Sequence, residues 1–238
     1  MEGLSITVDT PVGDSKLSSQ YYEYDTRIDE HNWYLIFFGT MLFYFAIQAL
    51  ARVFAPPPGD IKVFIEKKRL KDYHFYYFQY PIMVHALVGV FGDPLILYFG
   101  GFRYNQPNHI LHMHLMVHSA AYFAYDTIIE IYYKTDDMLT NFHHFFVLFG
   151  SYFHVRNQYS GYEYILMHWV AELSNPFLIL RTMLKIMNKK DTVLYAASEV
   201  LFAGVFILMR LIVTPWLLIA IYEAENCIYS TKFCISFV

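Results

Sequence analysis

Long apolar stretches separated by short polar ones dominate the chain from Trp33 onward. Six of them approach or exceed the roughly 20 residues that a helix needs to cross a lipid bilayer. We place them at Trp33–Phe54, Phe75–Phe99, Ile110–Tyr133, Met138–Val155, Tyr162–Met187 and Val193–Tyr222. The pattern therefore predicts an all-α, polytopic membrane helix bundle of about six transmembrane helices.

Two short extramembrane segments flank the predicted bundle. Residues 1–32 form an acidic tail that has neither the apolar core of a signal peptide nor the arginines of a transit peptide. Residues 33–225 form the membrane domain and residues 226–238 a short C-terminal tail. Within the bundle, we expect the second stretch, with Pro81 and Gly92-Asp93-Pro94, and the fifth, with Pro176, to be bent or broken, because proline removes an intrahelical hydrogen bond.

Composition supports a membrane protein. Hydrophobic residues make up 56% of the chain and charged residues only 16%, and the mean hydropathy is +0.30, which excludes an ordinary soluble domain. The two cysteines, Cys227 and Cys234, form no metal-binding pattern.

Basic residues predict the orientation of the bundle. They concentrate in the loops after the first and fifth stretches, including Lys67, Lys68, Lys189 and Lys190. The positive-inside rule therefore places both termini on the non-cytoplasmic or intermembrane-space side. The organelle stays open between the endoplasmic reticulum or Golgi and the mitochondrial inner membrane. The segment IEKKRLKDY either sets this topology or rests on anionic lipid.

Ionisable residues inside the apolar stretches are candidate functional groups, because such groups are costly in hydrocarbon and usually face a bundle interior or a wet cavity. In the third stretch, polar residues recur every four positions and form a slowly winding stripe. Its members are His114, His118, Tyr122, Asp126 and Glu130. The later stretches contribute His143, His144, His168, Glu172, Asn175 and Arg210.

These residues allow three interpretations. Histidine could act as a general base oriented by a carboxylate, as acyl transfer to a lipid alcohol or amine requires. Histidine and carboxylate are also metal ligands, but the chain has only one HxxxH (His114 and His118) and one HH pair, so we predict no metal. Third, the groups could simply satisfy one another between helices.

Five blocks, in order along successive stretches, resemble the TLC-domain family, which includes ceramide synthases, translocation-chain-associated membrane proteins and the small TLC-domain-containing proteins. The blocks are MVHALVG, AAYFAYDTIIE, FHHFFVLFG, AELSNPFLILR and FILMRLIV. The matching residues are His85, Ala86, Tyr122, Phe123, Asp126, His143, His144, Gly150, Glu172, Ser174, Pro176, Phe177, Arg181 and Arg210. The chain is most similar to the small members, and the resemblance implies the TLC fold.

The resemblance implies an incomplete acyltransferase site. Ceramide synthases carry paired histidines followed by a helix with two aspartates. Aligned on His143 and His144, this chain has Trp169 where the first aspartate is expected and Glu172 near the second.

Our leading hypothesis is therefore a non-catalytic, lipid-binding TLC-fold protein that serves as a structural or accessory subunit of a larger membrane assembly. Its partners would be lipids and other membrane subunits, which would also hold the acidic tail, and not nucleic acid. We expect no cofactor beyond a bound phospholipid or sphingolipid. The polar core of this protein would comprise His85, Tyr122, Asp126, His168, Asn175 and Arg210.

Two alternatives remain open. The first is a lipid-modifying, acyltransferase-like enzyme that uses acyl-CoA, with His143 and His144 as acid/base groups and Glu172 as the orienting carboxylate. The second is a lipid transporter or scramblase that uses the polar stripe of the third stretch as a hydrophilic track.

Overall fold

The computed structural model describes residues 30–101, 107–133 and 138–223, and these residues are almost entirely helical. The helices are α1 (Glu30–Phe54), α2 (Ile61–Glu66), α3 (Leu70–Leu87), α4 (Asp93–Gly100), α5 (Ile110–Tyr133), α6 (Met138–Asn157), α7 (Gly161–Glu172), α8 (Asn175–Ile186), α9 (Val193–Phe206) and α10 (Thr214–Glu223). Two π-helical turns, Val88–Gly92 and Ile207–Val213, join α3 to α4 and α9 to α10. The all-α prediction is confirmed.

The six predicted stretches all form helices. Three continuous helical units are long and apolar enough to cross a membrane by themselves: Asn32–Phe54, Leu70–Gly100 and Val193–Ile219. The other three units, α5, α6 and the α7–α8 pair, contain most of the buried polar residues, which lower their hydropathy. The predicted acidic tail and C-terminal tail lie outside the described residues, apart from positions 30–32 of the acidic tail, which form the start of α1.

The prolines act differently from each other. Helix α3 continues through Pro81 without a break. The irregularity of the second stretch is instead the π turn Val88–Gly92, directly before Asp93 and Pro94. In the fifth stretch the helix stops after Glu172 and restarts as α8 with Pro176 in its first turn, where a missing N–H disrupts nothing. The predicted break at Pro176 is confirmed.

Helix α5 lies at the centre of the bundle, where it packs against α1, α3, α4, α6 and α7. Half of its positions are buried, among them Met116, Ala121 and Tyr125, which have no exposed surface. The unit from α9 to α10 is peripheral, with large apolar side chains such as Val200 and Trp216 exposed, as lipid contact requires. The polar groups of α5 and α7 are therefore enclosed within the bundle.

Candidate functional site

A polar cavity of about 200 Å³ lies inside the bundle, between α3, α5, α6, α7, α8 and the second π turn. Its wall consists of Ile82, His85, Tyr122, Phe123, Asp126, His143, His144, Val147, His168, Ala171, Glu172, Asn175 and Arg210. All nine site residues predicted from the sequence are among them. Five separate stretches of the chain thus bring their polar residues to one place, although the roles of these residues stay predictions.

His144 of α6 lies between two groups of α5. Its Nε2 is 3.2 Å from Asp126 Oδ2, and its Nδ1 is 3.1 Å from Thr127 Oγ1. The Thr127 hydroxyl donates its proton to the Phe123 carbonyl at 2.8 Å, so it accepts a hydrogen bond from the N–H at Nδ1 of His144. That arrangement turns Nε2 of His144 towards the carboxylate. His144 and Asp126 therefore form a buried acid/base pair that can exchange a proton with a group in the cavity.

His168 of α7 has a second carboxylate partner that the sequence analysis missed. Its Nδ1 lies 2.7 Å from Oδ2 of Asp93, and its Nε2 lies 3.1 Å from Oγ of Ser119. Asp93 and Ser119 have no exposed surface. The sequence showed Asp93 only as part of a Gly-Asp-Pro helix break. The π turn before it contains an extra residue compared with an α-helical turn, and Asp93 begins α4 facing the bundle interior.

His85 of α3 has one ring nitrogen engaged and one free. Its Nδ1 is 3.5 Å from the hydroxyl of Tyr44, and its ring stacks on Tyr122 with 3.7 Å between ring centres. Its Nε2 lies 3.8 Å from Glu172 Oε1 and has no hydrogen-bond partner among the described residues. The other oxygen of Glu172 accepts a hydrogen bond of 2.9 Å from the side-chain amide of Asn175.

Arg210 reaches the cavity from the second π turn. It interacts electrostatically with Glu172. The cavity therefore has a cationic side as well as a carboxylate side. His143 also lies on the wall, and its ring centre is 6.0 Å from that of Phe123.

An apolar cavity of about 260 Å³ lies nearby, between α1, α5 and α6. Ten residues form its wall, which are Trp33, Tyr34, Phe37, Phe38, Val117, Ala120, Leu148, Ser151, Tyr152 and Val155. Tyr34, Phe38 and Tyr152 at its rim are more than half exposed, so the cavity opens to the surface that faces lipid. Its lining suits a hydrocarbon chain.

The helical fold, its apolar spans and the enclosed polar cavity define an integral membrane protein. A family model, the TLC domain of the TRAM, LAG1 and CLN8 proteins, matches residues 77–237. The match covers more than half of the chain, so the protein belongs to the TLC-domain family, as its five blocks predicted. Members of this family are generally associated with membrane lipids. No curated protein and no solved structure matches the chain significantly.

Proposed function

We propose that this protein is a lipid-modifying enzyme that transfers an acyl group inside the polar cavity. One observation carries the proposal: two histidines on the wall of the same cavity each lie against a buried carboxylate, His144 against Asp126 and His168 against Asp93. The sequence analysis favoured a non-catalytic protein because Trp169 replaces an expected aspartate. Asp93, from another part of the chain, places a carboxylate against His168, which lies on α7 beside Trp169.

The energetics favour a cavity that binds a ligand over one whose polar groups only bond one another. Buried ion pairs contribute little net stability, and well-packed apolar residues often replace them without loss. Here Nε2 of His85 and Oδ1 of Asp126 have no hydrogen-bond partner among the described residues. A buried polar atom without a partner destabilises a protein by about 1–3 kcal/mol. The arrangement is therefore poor as packing and suited to a bound polar ligand.

The proposed reaction joins an acyl ester or thioester to the hydroxyl or amine of a second lipid. The acceptor oxygen or nitrogen attacks the acyl carbonyl while Nε2 of His144 accepts the acceptor's proton. Thr127 holds the other ring nitrogen, and the Asp126 carboxylate, 3.2 Å from Nε2, stabilises the imidazolium that forms. Collapse of the tetrahedral intermediate breaks the bond to the leaving group, which takes that proton from His144. His143 lies beside this pair, and Arg210 supplies positive charge near the developing oxyanion. The apolar cavity would hold part of an acyl chain.

Turnover by purified protein in lipid nanodiscs tests the proposal, with acyl-CoA and lipid-ester donors and a panel of lipid alcohols and amines. We expect His144→Ala and Asp126→Asn to lose about 10²-fold or more of the activity, the usual contribution of a general base. His114→Gln is the matched control, because His114 lies on α5 outside the cavity, with its ring against Trp33. Equal activity of His144→Ala and the control would refute the assignment of His144 as the general base. Absence of turnover with every donor and acceptor combination would refute the proposed acyl transfer.

The other two hypotheses stay predictions. Native electrophoresis of mildly solubilised protein tests the accessory-subunit hypothesis, which expects stoichiometric partners. The scramblase hypothesis needs a continuous polar track along α5. Tyr122 and Asp126 line the cavity, but His114 packs against Trp33 and His118 accepts or donates a hydrogen bond of 2.9 Å with Tyr44.

A further inference from the structure

We propose that His85, His168 and Glu172 bind a divalent first-row transition metal ion. Each residue offers one ligand atom, and these three atoms lie within 4.8 Å of one another. All three residues are buried, with at most 4% of their surface exposed, and all three line the polar cavity. The inference goes beyond the proposed acyl transfer and stands without it.

Each of the three residues has the kind of outer partner that a metal ligand usually has. Metal-binding histidines bind a carboxylate, carbonyl or water through their other ring nitrogen, and ligating carboxylates are themselves hydrogen-bonded. His168 has Asp93 at 2.7 Å on Nδ1, and Glu172 has Asn175 at 2.9 Å on Oε2. His85 has the Tyr44 hydroxyl at 3.5 Å on Nδ1. These partners hold the three side chains and leave Nε2 of His85 and Oε1 of Glu172 for an ion, whereas Nε2 of His168 now bonds Ser119.

The free nitrogen of His85 is the second, independent sign of a ligand. His85 is 1% exposed, and its Nε2 has no hydrogen-bond partner among the described residues. The 3.8 Å between this Nε2 and Oε1 of Glu172 is too long for a hydrogen bond. Atoms that each lie 2.0–2.2 Å from a shared zinc ion are separated by at most about 4.3 Å. The distance lies within this limit, and two tetrahedral ligands would lie about 3.4 Å apart, so the two atoms can bind one ion after a shift of a few tenths of an ångström.

His168 needs one adjustment to act as a ligand. Because Asp93 occupies Nδ1, the coordinating atom is Nε2, which now lies 3.1 Å from Oγ of Ser119. Coordination would replace that hydrogen bond. Ser119 keeps a partner, because it also bonds the Tyr164 side chain.

Close packing behind Glu172 supports a fixed carboxylate. Gly89, in the first π turn, lies so near that a Cβ there would be 2.6 Å from Cγ of Glu172. Two imidazoles and one carboxylate form a known zinc set that keeps a fourth position for water or substrate. The same set also binds ferrous iron. An ion here would face the cavity shared with His144 and Asp126, where it could polarise an acyl carbonyl.

The sequence gives no local signal for this site. His85 lies on α3, whereas His168 and Glu172 are four apart on α7, so the set has no HxxxH or HxxHH box. The fold assembles it by packing the α3–π–α4 unit against α7.

Metal analysis of the full chain in detergent tests the inference without any turnover assay. Purified protein is stripped with a chelator, reloaded separately with Zn²⁺, Co²⁺ or anaerobic Fe²⁺, desalted, and assayed by plasma mass spectrometry. We expect stoichiometric retention by the wild type and by the His114→Gln control, and loss in His85→Ala and Glu172→Gln. Asp93→Asn should weaken affinity about 10–100-fold, as loss of an outer partner does elsewhere. Comparison of the metal retained by the Zn²⁺-loaded and Fe²⁺-loaded samples identifies the preferred ion.

Absorption spectroscopy of the Co²⁺-loaded wild type tests the site even if His85→Ala and Glu172→Gln fail to fold. Tetrahedral d–d bands, with imidazole shells in X-ray absorption, would support the site. Wild-type protein that retains no more metal than the chelator-treated sample, or whose Co²⁺ shows no imidazole ligands, overturns it. Normal metal retention by an inactive His144→Ala variant would support both proposals separately. Metal retention without turnover in the wild type would refute only the acyl transfer.

Discussion

Replacement of Gly89 by alanine tests the packing behind the candidate site. Gly89 lies in the first π turn, and the methyl group of an alanine there would meet Cγ of Glu172 at 2.6 Å and its Cβ at 2.7 Å. Carbon atoms without a bond between them do not approach so closely. The neighbour cannot simply swing away, because Glu172 is 4% exposed and its carboxylate is held by Asn175. Gly89→Ala must therefore displace either α7 or the π turn.

Two opposing effects set the size of the change. Alanine in place of a helical glycine stabilises a protein by about 0.5–1 kcal/mol. Forcing an extra methyl group into a packed interior destabilises it by about 1–3 kcal/mol. Gly39→Ala is the matched control, since no atom lies within 4 Å of its Cβ position and only the first effect applies. The difference between the two variants therefore isolates the packing effect, about 1–3 kcal/mol in favour of Gly39→Ala.

Thermal unfolding measures this difference. For a chain of this length, 1 kcal/mol shifts the midpoint by about 2–4 °C, so Gly89→Ala should unfold about 2–12 °C below Gly39→Ala. Both variants are heated in the same detergent at one scan rate and followed by far-ultraviolet circular dichroism. A Gly89→Ala midpoint equal to or above that of Gly39→Ala would refute the close packing of the π turn on Glu172.

Three further predictions follow from other parts of the structure. Asn108→Ala should lower stability by about 2–4 kcal/mol in the same assay, because the buried Asn108 side chain bonds backbone groups of α6 and α7 at 2.9 and 2.5 Å; an unchanged midpoint would contradict those bonds. Ser119→Ala should keep acyl transfer within about tenfold of wild type, because Ser119 does not line the cavity, whereas loss of about 10³-fold or more would make it the nucleophile beside His168. In a chain without the native cysteines, Lys189→Cys should react with an impermeant thiol reagent from the cytoplasmic or matrix side and Arg156→Cys from the opposite side; the reverse would overturn the predicted orientation.

The helices were predictable because their signal is local. Runs of about 20 apolar residues identified all six helical stretches, and the break at Pro176 followed from the missing N–H. The helix through Pro81 was not predictable in this way, since tertiary packing can accommodate a proline inside a helix. The π turns were not predicted either. They depend on how neighbouring helices pack, and the residues within them carry no pattern distinct from an α-helix.

The cavity was partly predictable. Polar residues in hydrocarbon face the bundle interior, and that rule selected eight of the nine predicted residues that line the cavity, while His85 came from the family resemblance. The same rule also selected His114, His118 and Glu130, which are not on the cavity wall. The rule could not choose partners. Asp93 was visible only as a helix breaker, yet it binds His168. Thr127 was not considered, because a threonine on a helix usually bonds its own backbone; it does so here and also orients His144.

The arrangement of polar and apolar helices relates the fold to the proposed chemistry. The units that are apolar enough to span a membrane alone are α1, the unit from α3 to α4, and the unit from α9 to α10. Helices α5 and α6 fall below that hydropathy, and α7 and α8, of 12 residues each, are too short to span a membrane alone. These units, which hold most of the buried polar groups, therefore depend on the rest of the bundle to remain in hydrocarbon. Hydrogen bonds between membrane helices contribute only about 0.6 kcal/mol on average, which is too little to explain four histidines and two carboxylates on the wall of one cavity. This imbalance supports the proposals made above, in which these groups bind a lipid headgroup, a metal ion or both, and that ligand would supply the missing stabilisation.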